Sequence, residues 1–374
     1  MRGNAYTVTV TGCAADGAGV ARLPDGRAAF IPGAARGDVC EAVVVKEQPR
    51  SCRAEIVRIL TPSPHRIAPD CPAYPACGGC GFRHITYEEE LRLKLQRVND
   101  ALERIGGLPV RAEEILTTGQ TDGYRNKAVF HTARQGGKTV IGFYRRHSHD
   151  VCPVDRCLLL RDELNAALRD VKNRLPAEGG ALTLRAGRDG LREPVTEELD
   201  GLIFRVSPAS FFQVNTGAAL LLCQKAREYA ALTGAETLAD FYCGVGLLTL
   251  FLGRDAGAAL GVENNPAAVS DARENARRNG IPAEFTAANA EEWDAGGLHP
   301  ACVTVDPPRR GLPAGVVRKI IELSPSRIVC VSCDPATLAR DVRRFEGYAV
   351  RRVCAVDMFP RTANVECAAL LTRL

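Results

Sequence analysis

A chain of 374 residues is long for one domain and favours two or three. With 46% hydrophobic and 25% charged residues, its composition is that of an ordinary packed protein, not of a disordered or fibrous one. A formal net charge of only +4 says little for or against nucleic acid, because such partners are recognised through local patches and not through totals.

Met1-Arg2-Gly3-Asn4 leads into an alternating stretch without a long apolar core, so no signal peptide is expected. No uncharged apolar run reaches the roughly 18 residues of a spanning helix. A cytoplasmic protein with no membrane partner is the expectation. Fifteen cysteines without a secretory signal point to metal binding or catalysis, not to a disulfide framework.

Residues 1 to about 60 read as short strands. Val8-Thr9-Val10-Thr11 alternates, Ala28-Ala29-Phe30-Ile31 and Glu41-Ala42-Val43-Val44-Val45 are strand-like, and Asp16-Gly17 and Asp25-Gly26 are turn dipeptides. Close spacing of short strands predicts a small barrel. A boundary is expected at Thr61-Pro62-Ser63-Pro64, since a residue before proline is pushed out of helical geometry.

Cys71, Cys77 and Cys80 follow within ten residues, with Gly78 and Gly79 permitting a tight wrap. Residues 87–105 predict an amphipathic helix with Leu91, Leu95, Val98 and Leu102 on one face. Tyr124 to Arg146 reads as a hairpin around Gly136-Gly137, carrying six basic residues and no acid. It serves equally as a solvated hairpin or as an RNA-binding one.

From about residue 201 strands alternate with helices, which predicts a doubly wound parallel sheet. The strand Thr237–Phe241 runs into Tyr242-Cys243-Gly244-Val245-Gly246 and a helix, a turn tight enough for a ligand to approach the backbone. Glu263 lies nineteen residues after Gly244, where a carboxylate accepts both ribose hydroxyls of an adenosine. The third glycine of the dinucleotide fingerprint is missing, which favours a smaller adenosyl ligand. Val305-Asp306-Pro307-Pro308-Arg309 and Val331-Ser332-Cys333-Asp334-Pro335 each end a strand at the edge where open sheets bind ligands. The helix after Cys333 is expected to lower the thiol's pKa. Alone, Cys333 reads as a buried inert thiol and Glu366 as a surface ion pair.

Together these segments resemble the RNA 5-methyluridine methyltransferase family, which acts on transfer RNA or large-subunit ribosomal RNA. The likeness rests on Phe211-Phe212-Gln213-Val214-Asn215, Asp240 to Gly246, Asp306-Pro307-Pro308-Arg309, Ser332-Cys333-Asp334-Pro335 and the run Asp357 to Glu366, in family order over the C-terminal half. The resemblance implies S-adenosylmethionine as cofactor, held by Gln213, Tyr242, Glu263, Asp306 and Asn289, with Cys333 as nucleophile and Glu366 as base. Leu247 takes a place the family leaves variable. Gly17-Ala18-Gly19-Val20-Ala21-Arg22 and Phe30-Ile31-Pro32-Gly33-Ala34 resemble a TRAM domain, a small RNA-binding barrel.

Four thiolates can hold zinc or an iron–sulfur cluster. Zinc ribbons present two close pairs, whereas here a triplet stands with a distant single, Cys157, its rival being Cys152. The ribosomal-RNA branch of the family carries a 4Fe-4S cluster at this spacing, which implies Cys71, Cys77, Cys80 and Cys157 as ligands. The expected fold is an α/β Rossmann-like methyltransferase domain over residues 201–374, a barrel over 1–60 and a cluster-bearing α+β domain over 61–200. The 87–105 helix is expected to pack on the catalytic domain. The expected partner is RNA, 23S rRNA foremost, for a monomer that binds no DNA. The rivals are a transfer-RNA uridine methyltransferase, whose family members generally lack the barrel and the cluster, and a non-catalytic RNA-binding protein on the same fold.

Overall fold

Alternation and two glycine turns build the first unit. Strands β1 (Ala5–Cys13), β2 (Gly19–Arg22), β3 (Ala28–Ile31), β4 (Val39–Glu47) and β5 (Ser51–Thr61) close a barrel in the order β1-β2-β3-β5-β4. Val8, Val10, Ala21, Ile31, Cys40 and Ala54 fill it, as period-two patterning requires. Gly17 and Gly26 take φ of +86° and +85°, which is why each turn ends in glycine. The computed structural model describes residues 5–172 and 180–374; the opening Met1-Arg2-Gly3-Asn4 lies outside the described residues.

The buried Asp38 closes the barrel onto the following segment. It accepts the Ala35 and Ser63 backbone N–H groups at 2.7 and 2.8 Å and pairs with Arg66. Helix α1 (Tyr87–Arg104) is capped by Thr86 and packs on the last domain, with Val98 and Leu102 inside its core. Its inward face is rotated from the predicted one. Leu93, Glu90 and Lys94 are buried while Leu91 and Leu95 are half-buried. The rotation has a polar cause: Lys94 Nζ donates to Glu90 Oε1 at 2.7 Å and to Asp357 Oδ1 at 2.6 Å.

After α1, β6 (Ile115–Leu116) joins the edge of the last unit's sheet, and the central unit follows with the predicted hairpin as β7 (Lys127–Gln135) and β8 (Lys138–Tyr144), then β9 (Val151–Pro153), α2 (Asp162–Lys172) and β10 (Ala181–Arg185). Strands β10-β7-β8-β9 form a sheet over Phe130, Ile141, Leu164 and Leu168. A hairpin of β11 (Val195–Leu199) and β12 (Leu202–Val206) follows.

The last unit runs α3 (Thr216–Ala230), β13 (Thr237–Phe241), α4 (Leu247–Gly253), β14 (Ala258–Glu263), α5 (Pro266–Asn279), β15 (Ala283–Ala287), β16 (Cys302–Val305), α6 (Ala314–Leu323), β17 (Arg327–Ser332), α7 (Pro335–Val342), β18 (Tyr348–Val356) and β19 (Glu366–Arg373). The sheet order is β15-β14-β13-β16-β17-β19-β18-β6, with helical layers on it. Strands β13 to β17 are parallel as predicted, but β19 is antiparallel to both β17 and β18. The short link from Asp357 to Val365 holds no helix, and a parallel return needs a longer crossover. Because β19 runs backwards, its first residue, Glu366, lies at the carboxyl edge of its neighbours. No helix among the described residues is long and apolar enough to cross a membrane.

Candidate active site

The turn after β13 is built for a ligand. Tyr242 takes φ of +64°, a conformation uncommon outside glycine, and Gly244 and Gly246 take +54° and +85°. A Cβ on Gly246 would stand 3.1 Å from the Phe285 ring, so the helix after the turn sits close to the sheet. Glu263 Oε2 accepts the Gly244 N–H at 3.2 Å, and Oε1 accepts the Asn265 N–H at 2.8 Å. The carboxylate is thus aimed across the turn.

Gln213, Tyr242, Gly244, Leu247 and Asp306 line one crevice there, with Phe211 64% exposed at its rim. Gln213 is buried, two residues before the α3 N-cap Asn215. Neither Glu263 nor Asn289 is on that wall. Glu263 ends β14, and Asn289 is exposed just beyond the end of β15, its Oδ1 accepting the Glu291 N–H at 3.2 Å.

Three carboxylates converge on this edge. Asp240 is buried and accepts the hydroxyls of Thr249 and Thr304, each at 2.6 Å; burial still pushes its pKa up to about 6. Burial, and then Asp240 itself, push Asp306 up to about 7. Glu366, 2% exposed, is pushed well above the usual carboxylate range by burial, then by Asp306, against the pull of Arg309. A cation entering here relieves all three.

The half-buried Cys333 follows β17, whose final Ser332 pairs with Cys367 of β19. Thiol and Glu366 carboxyl therefore come from facing ends of adjacent strands. Burial and then Glu366 raise the Cys333 pKa, while Arg309 lowers it. This corrects the expectation of a depressed thiol pKa. The first turn of α7 is already answered by an anion, Asp334, whose Oδ1 accepts the Thr337 N–H at 2.8 Å.

The loop between β18 and β19 is fixed by residues whose local sequence carried no such signal. Tyr87 donates to Asp357 Oδ2 at 2.6 Å, Lys94 reaches Asp357, and Glu90 Oε1 accepts the Arg361 N–H at 2.7 Å. Arg97 donates to the Ala363 carbonyl at 2.6 Å and Tyr124 to that of Pro360 at 3.0 Å. Arg361 itself takes φ of +66°. A lysine on the apolar side of α1, four residues after Glu90, was the one visible hint.

Cys71, Cys77, Cys80 and Cys157 line a cavity of about 340 Å³, with Arg83, Arg125 and Lys127 also on its wall. Cys152, buried in β9, is not on that wall. Among the described residues no three His, Cys, Asp or Glu side chains converge on a single metal-ion position. Burial raises Cys77 to about 11 and Cys80 to about 12, the latter against the neighbouring Arg83 guanidinium. Arg83 is bonded to Asp70 and Asp122, and its buried Nε has no partner among the described residues. Four thiols beside Arg125 and Lys127 on one wall are a donor set of the chemistry that an iron–sulfur cluster uses.

Comparison with known proteins agrees with this layout. The tRNA (uracil-5-)-methyltransferase family matches residues 158–374, and the TRAM domain matches residues 1–57. An uncharacterized RNA methyltransferase of Gloeobacter violaceus is 34% identical over 100% of this chain and 97% of its own. One from Halalkalibacterium halodurans is 32% identical over 97% of this chain and 96% of its own. Among solved structures, the Pyrococcus abyssi tRNA (uracil-54, C5)-methyltransferase in complex with S-adenosyl-L-homocysteine superposes with a TM-score of 0.75 at 26% identity, covering 100% of both chains. With its TRAM barrel, its glycine turn and its thiol-bearing strand edge, the chain belongs to the tRNA (uracil-5-)-methyltransferase family of S-adenosylmethionine-dependent RNA methyltransferases.

Proposed function

We propose that the chain methylates carbon 5 of a uridine in RNA through a covalent bond from Cys333. The observation that carries this reading is the meeting of Cys333, at the end of β17, with Glu366, at the head of the antiparallel β19, on the edge that holds the glycine turn. Carbon 5 of uracil is too weak a nucleophile to take a methyl group unaided. The Cys333 thiolate bonds to carbon 6, and the electrons of the 5,6 double bond move to the carbonyl as an enolate. Carbon 5 then takes the methyl from S-adenosylmethionine, and the methyl–sulfur bond breaks to leave S-adenosylhomocysteine. Glu366 removes the carbon 5 proton, the double bond re-forms, and Cys333 leaves.

Gln213, Tyr242 and Asp306 would hold the cofactor from the crevice in this reading, with Glu263 and Asn289 adding to it from the ends of β14 and β15. The sulfonium is the cation that the crowded carboxylates call for. It would draw Glu366 toward the ionised form that elimination needs.

The same reading gives Cys71, Cys77, Cys80 and Cys157 to a 4Fe-4S cluster. Bound, it would supply iron–thiolate bonds that pin the cysteine loop. Beyond Cys80, the Gly81 and Phe82 N–H groups donate to the Arg361 carbonyl at 2.9 and 3.1 Å, so that loop in turn braces the segment leading to Glu366. Three units over residues 1–60, 61–200 and 201–374, in a monomer, complete the proposal.

Large-subunit ribosomal RNA is the proposed substrate, on the strength of the barrel and the cysteine loop together. The transfer-RNA reading is favoured by one observation: the Pyrococcus abyssi tRNA enzyme covers the whole chain, so the barrel alone does not discriminate. With 5-fluorouridine RNA and cofactor the enzyme should form a denaturation-resistant adduct, because fluorine does not leave as a proton. Cys333→Ala should form none and lose turnover by about four to six orders of magnitude. An undiminished adduct in that variant refutes the nucleophile. Mass spectrometry of both RNA classes from a deletion strain decides the substrate.

A further inference from the structure

Helix α1 brings one arginine to the loop between β18 and β19. Arg97 is half-buried and reaches three parts of the chain. Its Nη1 donates to the Ala363 carbonyl at 2.6 Å and, at 3.3 Å, to the carbonyl of Ala15 in the turn between β1 and β2. Its Nη2 donates to Asp334 Oδ2 at 3.4 Å.

These acceptors are not scattered. Ala363 lies three residues before Glu366, and Asp334 directly follows Cys333. The register of β17 against β19 ends at the pair Ser332–Cys367, so Cys333 and the Ala363 segment both lie beyond the ladder. Past that point one guanidinium reaches both sides. The other oxygen of Asp334 accepts the Thr337 N–H at 2.8 Å, which ties the same carboxylate to the start of α7. The barrel turn backs the loop: a Cβ on Gly17 would stand 3.4 Å from the Ala363 Cβ.

A long ion pair that is open to water adds little stability. What an arginine fixes well is distance, because its planar fork holds two donors at a set separation. In the proposed reaction, attack needs the thiol against carbon 6, and methyl transfer needs the cofactor against carbon 5. Only in elimination must thiol and carboxyl act together on neighbouring atoms of one ring. We propose that Arg97 is a positioning residue: its guanidinium holds the Ala363 segment against Asp334 and so sets the spacing between the Glu366 carboxyl and the Cys333 thiol. This role rests on the covalent reaction proposed above, and it gives the last step of that reaction a support 237 residues upstream of Asp334.

The test supplies the full chain with unmodified RNA from the deletion strain and methyl-labelled cofactor. Arg97→Gln should lower kcat about ten- to hundredfold, the scale of a small misplacement, with the KM for cofactor unchanged. The methylated protein–RNA adduct should build up at the same time. Arg97→Lys keeps one cationic donor without the fork and should recover part of the rate. Arg104→Gln, at an exposed arginine of the same helix, should change nothing. The decisive comparison is made in Glu366→Gln. With that carboxyl gone, adding Arg97→Gln should slow turnover little further, since no base remains to be placed. A merely structural arginine would lower the active fraction instead, with no build-up of adduct and with full additivity in the double variant. Either of those results, or an unchanged kcat, overturns the role. The 5-fluorouridine adduct reports on the reaction itself. If wild type forms none, the covalent reading falls and takes the Arg97 role with it; a normal wild-type adduct with additive losses removes the Arg97 role alone.

Discussion

The two thiol-bearing regions sit in opposite electrostatic surroundings. Around Cys333 stand Asp306 and Glu366, with Arg309 the cation acting on the thiol. Around Cys71, Cys77, Cys80 and Cys157 the wall carries Arg83, Arg125, Lys127 and Arg156 and no carboxylate. Burial raises the thiol pKa in both places. What differs is the charge each site asks for. In the proposed reading the cysteine cavity takes an anionic occupant, while the carboxylate-lined edge takes a cationic cofactor. In the proposed reaction, a thiol in the second kind of site is restrained until the cationic cofactor arrives.

The sharpest way to break this comparison is at Glu366. Glu366→Gln removes the proposed base but not the thiol, so turnover should fall by about two to four orders of magnitude while a methylated protein–RNA adduct accumulates. Methyl-labelled cofactor followed through denaturing electrophoresis reads it. Turnover at the wild-type rate assigns the proton to another group.

At the other thiol site, Cys77→Ser should abolish iron and acid-labile sulfide in protein purified without oxygen. The Arg361 loop should also lose protection from hydrogen exchange. Stoichiometric zinc in the wild type, with no iron, sinks the cluster assignment.

Between the two regions lies Lys94, 1% exposed and bonded to Glu90 and Asp357. Lys94→Met leaves those carboxylates buried without their cation and should cost about 3–5 kcal/mol in chemical denaturation. A loss below 1 kcal/mol would mean that the network is incidental.

The smallest effect is a pH dependence, and its sign follows from Asp306. An acid whose pKa is raised from 3.8 to about 7 on folding adds stability that is complete below 3.8 and is lost as pH climbs through 7. The cofactor-free enzyme should therefore lose denaturation midpoint between pH 4 and 7, and Asp306→Asn should lose less. S-adenosylmethionine affinity should rise severalfold from pH 6 to 8 as the carboxylates ionise around its sulfonium. The neutral thioether of S-adenosylhomocysteine should gain less. Equal gains for the two ligands would show that the sulfonium is not what the carboxylates answer.

Much of the machinery was legible because it depends on local backbone needs. A strand, two glycines and a following helix announce a ligand turn, and Gly244 and Gly246 do take the left-handed conformations that only glycine adopts readily. The bounds of Thr237–Phe241, Pro266–Asn279 and Arg327–Ser332 agree with their periodicity. The barrel strands followed from alternation and their Asp-Gly turns. The inward face of α1 did not follow, because Lys94 owes its burial to Asp357, far away in the chain. The upward direction of the Cys333 shift did not follow either: helix-end chemistry is local, but burial and Glu366 and Asp306 act on the thiol from other strands.

The sequence by itself determined which chemical groups are present and which turns hold them, since a turn's residues answer for their own φ and their own caps. Only the tertiary structure decided how those groups face one another. Strand direction is the plainest case. The same eight residues, Glu366 to Arg373, laid parallel to β17 would carry Glu366 to the far edge of the sheet. Laid antiparallel between β17 and β18, they bring it beside Cys333. Direction depends on the length and packing of the connection and on which hydrogen-bonding edges remain open, and no short window of sequence contains either.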